Sequence, residues 1–284
     1  MAGRRRLIAV AAVAATIAAA ASFAYAQRIW VGPGVGGFSR QAPKWATVAD
    51  FDGSFLYCRG YYDQMRYEDG GMGWWTDYPG ADNNFSVRLA ELTNVAVTLD
   101  ATHQPNFVVV ALTDPLLYRC PLLFMEDVGT LEFSEEEARR LREFLLKGGF
   151  LWVDDFWGSR AWANWVRNIS RVLPPFEFPI FDIPAAHPIM RTLYDVKEVP
   201  QIPSINFWYR RGHWGRTSER GSDSAAVHVR GIQDARGRLM VLMTHNTDVA
   251  DTWEREGENP EYFDLFSPSG YAIGVNVVLY ALSH

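Results

Sequence analysis

The chain alternates between two hydrophobic rhythms. Three runs, "NFVVVAL" (106–112), "PLLFMEDVG" (121–129) and "FLWVDD" (150–155), are almost continuously apolar. Such runs suit strands buried on both faces of a sheet. "SFLYCRGYY" (54–62) alternates instead and reads as a first strand. Between strands the period lengthens. Phe85, Leu89 and Leu92 fall at helical spacing within "NFSVRLAELT", with Asp82 and Asn83 where a helix cap is wanted. Ser134, with Glu137 three residues on, predicts a capping box opening "SEEEARRLREFLLK". Early glutamates and a terminal lysine suit that helix's dipole, and Gly148-Gly149 ends it. The chain then enters "FLWVDD" directly, so strand, helix and strand form a right-handed crossover between parallel neighbours.

Further on, "SRAWANWVRNISRVL" reads as a helix stopped by Pro174 and Pro175, and residues 174–224 are proline-rich and irregular. "AAVHVRGI" and "RLMVLMTHN" flank the turn "QDARG" as a hairpin, and "GYAIGVNVVLYALSH" forms a closing helix. The expected fold class is α/β: a three-layer sandwich with an open, mostly parallel sheet, flavodoxin-like, in one domain over 51–284.

The first residues stand outside that domain. Arg4, Arg5 and Arg6 precede an alanine-rich apolar stretch, and Ala24-Tyr25-Ala26 offers a small-x-small cleavage site, so 1–26 reads as a secretory signal. "RRRLI" resembles a twin-arginine signal, and an ordinary secretory route fits equally. Residues 27–50, rich in glycine and proline, read as an extended arm. Losing three arginines takes the formal charge from −6 to −9, which argues against nucleic acid as a partner. No later segment is expected to span a bilayer, so a soluble, exported, periplasmic protein is predicted. Cys58 and Cys120 are either one disulfide or two buried thiols.

"TDYPGADNNFSVRLAELTNV", "EFSEEEARRLREFLLKGGFLWVDDFWG", "AAHPI", "GRLMVLMTHNTDVADTWE" and "GVNVVLYALSH" together resemble the bacterial domain of unknown function family 4159, over roughly 51–284. The resemblance implies a class I glutamine amidotransferase-like fold and no assigned activity. Members are often found beside membrane proteins with von Willebrand-type domains, which implies envelope work and such proteins as partners. Active amidotransferases of the wider superfamily carry a cysteine nucleophile on the turn where this chain has Asp154 and Asp155. The chain keeps a histidine, His245, after the later strand, and in lacking the cysteine it is similar to the trehalose-utilisation-like branch. Glutamine hydrolysis through a thioester is therefore not expected.

In open α/β sheets ligands sit outside the carboxyl ends of the strands. Asp154 and Asp155 end one strand and His245 and Asn246 another, so the candidate catalytic set is Asp154, Asp155 and His245. Candidate ligand-binding residues are Asp82, Asn83, Trp157, Asn246 and Asp248. Consecutive strand residues point to opposite faces, so one aspartate should face the cleft while the other is tied to backbone amides of the "FWGS" turn or caps the helix, a role Ser159 could share. "THNTDVADTWE" (244–254) concentrates His245, Asn246, Asp248, Asp251 and Glu254, but its spacing matches no calcium loop and one histidine is thin for zinc. It reads as a loop opening a helical turn capped by Asp248. No metal and no cofactor are expected. Trp74, Trp75, Trp157, Trp208, Trp214 and Trp253 could offer faces to a sugar or fill the core, and His187 reads as a loop histidine. No phosphate-binding glycine loop precedes a helix.

Three functions follow. The first is an exported protein binding a small polar, glycan-derived ligand or an envelope partner at the strand edge. The second is a hydrolase in which Asp154 or Asp155 works with His245 to activate water. The third is a structural component of a membrane-associated complex.

Overall fold

Seven strands form one sheet in the order β2-β1-β3-β4-β7-β6-β5. They are β1 (Tyr57–Tyr61), β2 (Phe107–Ala111), β3 (Leu122–Glu126), β4 (Phe150–Phe156), β5 (Phe181–Asp182), β6 (His228–Gln233) and β7 (Leu239–His245). The computed structural model describes residues 42–68, 71–212 and 215–284. The expected signal and the arm up to residue 41 therefore lie outside the described residues. Strands β2, β1, β3, β4 and β7 run parallel to one another, and β6 pairs antiparallel with both β7 and β5. The expected α/β sandwich with an open, mostly parallel sheet is present.

Strand alternation sorts the core into two layers. Cys58, Leu123, Met125, Leu151, Val153 and Met243 face one side, under helices α2 (Glu135–Leu146) and α3 (Gly158–Val172). Tyr57, Phe124, Phe150, Trp152 and Leu242 face the other, under α1 (Gly80–Leu92) and α6 (Pro260–Ser283). The shorter α4 (Ile205–Arg211) and α5 (Asp251–Glu254) pack on this second side through Ile205, Trp208 and Trp253. The Ser134 capping box is formed: Ser134 Oγ accepts from Glu137 N at 3.2 Å, and Ser134 N donates back to Glu137 Oε2 at 2.8 Å.

Two details differ from the sequence reading. Helix α6 begins about ten residues earlier than the closing pattern suggests, with Pro268 inside it, and it passes the length and apolarity test for a membrane span that no late segment was expected to approach. Most of its apolar window, 61 %, is buried in this domain, as suits a core helix. Its Gly274 lets Phe85 and Trp253 approach the helix backbone. Helix α1 starts at Gly80, so Asp82 and Asn83 stand in its first turn and do not cap it.

Cys58 and Cys120 form a disulfide with Cα atoms 6.0 Å apart, which resolves the two alternatives for these residues. On the outer side of β2, Ala46 N donates to Val109 O (3.0 Å) and Val109 N to Lys44 O (2.8 Å), so part of the arm lies along that edge.

Candidate functional site

The parallel strands point their carboxyl ends at one edge of the sheet. The chain runs from β1 outward to β2 and returns to place β3 on β1's other side, so the topological switch lies between β1 and β3, where α/β proteins form their crevice. Arg59 from β1 and Glu126 from β3 flank it on the α1/α6 face, and Asp154 from β4 and Thr244 from β7 continue the row. Arg59 pairs with Phe124, Glu126 with Asp154, and Thr244 stands two residues past Leu242, the partner of Trp152, so alternation puts all four on one face.

The loops after these strand ends turn sharply. Four of the non-glycine residues with positive φ are here: Asp77 (57°), Asp127 (48°), Asp155 (50°) and Asn246 (65°). Aspartate and asparagine tolerate this left-handed region better than most residues. The turns fold carboxylates back over the strand tips.

Arg59 is fully buried. Its guanidinium donates to Asp82 (Nη2–Oδ2 2.7 Å), to Glu126, and to the carbonyls of Thr76 (2.8 Å) and Trp74 (3.3 Å). Asp82 is thus committed to Arg59. Asp154 is held from three directions: Thr244 Oγ1 donates to Oδ1, while the backbone N–H groups of Val249 (2.7 Å) and Ala250 (3.1 Å) donate to Oδ2. Asp251 Oδ2 accepts from Ile205 N (2.7 Å) and the Tyr262 hydroxyl (2.9 Å). Asp248 Oδ1 accepts from Asp251 N (2.9 Å), the first residue of α5; the N-cap position itself is Ala250, so the expected Asp248 cap falls on the turn that leads into the helix.

Two trios of these buried acids, Glu126–Asp154–Asp248 and Asp77–Asp248–Asp251, each bring one oxygen per residue to within 4.8 Å of the others. Glu126 Oε1 and Asp77 Oδ2 are buried and receive no hydrogen-bond donor. The carboxyl of Asp77 lies against those of Glu126 and Glu254. Burial pushes these groups' pKa values up: Glu126 to about 8, Asp154 to about 7, Asp251 to about 6 and Glu254 to about 7. Burial also raises Asp77 and Asp248; the charge of Asp248 adds to the shift of Asp77, and those of Asp155, Asp251 and Asp154 to the shift of Asp248.

The bulge after Asp154 and the α2/α3 face beyond it differ in chemistry, although the Asp155 carboxyl stays close enough to Asp248 to be the largest of the charges that raise the pKa of Asp248. The β4–β7 register shifts between Val153 and Phe156, a bulge with Asp155 at its centre. Asp155 Oδ1 accepts the Trp157 indole N–H at 2.8 Å, so the aspartate is tied to a side chain of the "FWGS" turn where backbone amides were expected. Neither Asp154, Asp155 nor Ser159 caps α3. The caps come from distant segments, with Gly158 N donating to Asn246 Oδ1 (2.8 Å) and Ser159 N to Asp223 Oδ2 (2.9 Å).

His245 lies on this α2/α3 face, stacked among Phe156, Trp162 and His228, with Nε2 3.1 Å from Gly158 O and Nδ1 without a partner. Burial lowers its pKa to about 4. Thr244 and His245 alternate across the sheet, and Thr244 is the residue that meets Asp154. The structure therefore brings Asp154, Asp82 and Asp248 onto one face and leaves His245 on the other. No hydrogen bond joins His245 to Asp154 or Asp155 among the described residues, so the base–carboxylate pairing expected from sequence is absent in this conformation. Asn83 is half-buried and its amide reaches only its neighbour Asn84 (3.3 Å).

The tryptophans divide similarly. Trp157, Trp208 and Trp253 are buried, and Trp253 packs on Phe85, Phe124 and Trp152, so these three fill the interior. Trp74 and Trp75 are half-buried, and Trp214 lies outside the described residues. His187 caps a short 3-10 turn by accepting from Ile189 N (3.2 Å).

A groove of about 570 Å³ opens where β6 begins, lined by Asp182, Lys197, Glu198, Val199, Gln201 and His228. Two of these residues reach the strand tips: Gln201 Nε2 donates to Asn246 O (3.1 Å) and His228 stacks on His245, ring centroids 5.7 Å apart.

Sheet order, layers and strand-tip polar residues define an α/β sandwich protein with a buried acidic centre at the carboxyl edge of its sheet. The chain belongs to the family Domain of unknown function (DUF4159), whose family model matches residues 63–282. No curated protein sequence matches it.

Proposed function

We propose that this protein is an exported, periplasmic binding protein that takes a small polar ligand in the groove beside the carboxyl edge of its sheet, without glutaminase chemistry. The observation that carries the reading is the groove itself: its volume falls in the range of small-molecule sites, and both acidic and basic side chains line it. Lys197, Glu198 and His228 offer donors and acceptors suited to hydroxyl, amino or carboxylate groups, Val199 adds an apolar surface, and Gln201 shapes the wall through its bonds to Ser224 O, Asn246 O and Thr217. The absence of glutaminase chemistry is supported by the thiols, since both cysteines are joined to each other and β4 ends in Asp154, Asp155 and Phe156. The disulfide, with the basic, alanine-rich start of the sequence, supports export to an oxidising compartment. The parallel sheet with a sharp turn after β4 is compatible with an amidotransferase-like ancestry. Envelope proteins with von Willebrand-type domains are the partners that this ancestry suggests.

A thermal-shift panel of monosaccharides, polyols and amino acids tests the binding reading. At least one compound should raise the wild-type melting temperature by a few degrees and leave a Gln201→Ala/His228→Ala variant unmoved, with the unliganded variant melting cooperatively. A panel that moves neither protein refutes it. Ammonia release from glutamine should stay at background.

A further inference from the structure

We infer that the carboxylates grouped around Asp248 bind a divalent, oxygen-preferring cation, with Glu126, Asp154 and Asp248 as one set of ligands and Asp77 and Asp251 completing the site from the other side of Asp248. This goes beyond the groove reading and does not depend on any ligand there.

Three observations carry it. Ligand oxygens of each trio lie within 4.8 Å of one another, which is twice the roughly 2.4 Å calcium–oxygen distance and so the widest span one such ion can bridge. Glu126 Oε1 and Asp77 Oδ2 are buried with no donor to satisfy them, in residues that are 0 % and 6 % exposed. A buried polar atom left without a partner is costly, and a cation supplies what the protein does not.

The third observation concerns the donors that are present. Asp154 accepts two backbone N–H groups and a hydroxyl, and Asp251 accepts one of each. Such donors fix a carboxylate's direction, as the groups behind a metal ligand do. Carboxylate oxygens this close are acceptors facing acceptors, and a cation between them is a partner they can share. The two guanidiniums present are at the margins: Arg59 is shared between Asp82 and Glu126, and Arg255 lies beside Asp251 and Glu254. Neither pairs with Asp77, Asp154 or Asp248. With carboxylate oxygens alone and neither histidine nor cysteine in either trio, the donor set selects calcium, magnesium or manganese over zinc or copper.

The competing account is that shared protons neutralise the cluster. The two separate experimentally. The chain, stripped with EDTA and dialysed, would be titrated calorimetrically with CaCl₂, MgCl₂ and MnCl₂, and its melting followed in parallel. Saturable binding of at least one ion is expected, with a rise of about 5–10 °C at a hundredfold excess over Kd. Asp248→Asn should abolish both signals, Glu126→Gln should weaken binding at least tenfold, and Asp223→Asn, outside the cluster, should bind as wild type. Because Asp248→Asn also removes a repelling charge, its melting temperature in EDTA should match or exceed that of EDTA-treated wild type, which shows that lost binding is not lost folding. Should Asp248→Asn fail to fold, Glu126→Gln decides alone. Wild type that binds no cation at millimolar concentration, with a melting temperature indifferent to EDTA, overturns the inference in favour of shared protons. A panel ligand that still shifts the melting temperature in that case would leave the groove reading standing alone.

Discussion

The two faces of the sheet at its carboxyl edge carry polar residues on the same strands, a residue apart, yet they solve burial in opposite ways. On the α1/α6 face, Arg59, Glu126, Asp154 and Thr244 form a polar row held by directed hydrogen bonds, with Glu126 Oε1 left unpartnered. On the α2/α3 face, His245 is neutral and held by ring stacking with one polar contact. Crossing from Thr244 to His245 is a step of one residue along β7, and it exchanges an ionic interior for an aromatic one. Proximity along a strand is thus a poor guide to shared chemistry, and a bulge or an alternation decides which partners a side chain has.

The sharpest way to break this contrast is to remove the cation on the ionic side. Arg59→Met should destabilise the fold by about 3–5 kcal/mol in urea denaturation, because Asp82 and Glu126 would be left as buried charges without their partner. A loss below 1 kcal/mol would mean that those carboxylates are already protonated.

The aromatic face answers to pH. The folded-state pKa of His245, about 4, lies below the usual value of 6.5, so between these values the unfolded chain binds the proton that the folded chain resists. The stability this residue contributes is complete above pH 6.5 and falls away as pH drops toward 4, by about 3 kcal/mol in total. Its surroundings are Phe156, Trp162, His228, Arg230 and Asp223, of which Arg230 and His228 oppose protonation and Asp223 favours it. Comparing wild type with His245→Phe at pH 7 and pH 4.5 should show a flatter pH dependence in the variant. Equal slopes would place the histidine in contact with water.

Thr244→Val tests the side chain at the boundary. Its hydroxyl accepts from Trp152 Nε1 (2.9 Å) and donates to Asp154, so the isosteric change should cost about 2 kcal/mol and weaken cation affinity. Ser134→Ala, far from both faces, sets the baseline: loss of the capping box should cost about 1 kcal/mol and leave cation affinity and pH slope unchanged.

How much of this was readable beforehand follows the range of the interactions. Ser134 and Glu137 act within one helical turn, so the sequence exposes them. Apolar runs marked β2, β3 and β4, and the placement of Asp154 at a strand tip followed from β4 ending there. The contact of Asp248 with Asp251 N, in the turn leading into α5, was local too. Arg59 was hidden inside "LYCRGYY", where a charged residue in an apolar strand could have signalled a buried partner. Glu126 closes β3 with the same signal, an acid ending a run of core residues. Asp77 had no such mark. It reaches the centre through a left-handed turn and a long loop, and only the packed chain brings it to Asp248. The pairing of His245 with the aspartates failed for a related reason: strand ends were identified, but the face each side chain takes depends on registers that a bulge resets.

The stretch Lys44–Ala46 hydrogen-bonds along the outer edge of β2. A version trimmed to begin at residue 47 would bare the main-chain donors and acceptors of Val109, and uncovered strand edges recruit strands from other molecules. Shortened preparations should therefore self-associate with rising concentration, whereas the longer chain shields that flank.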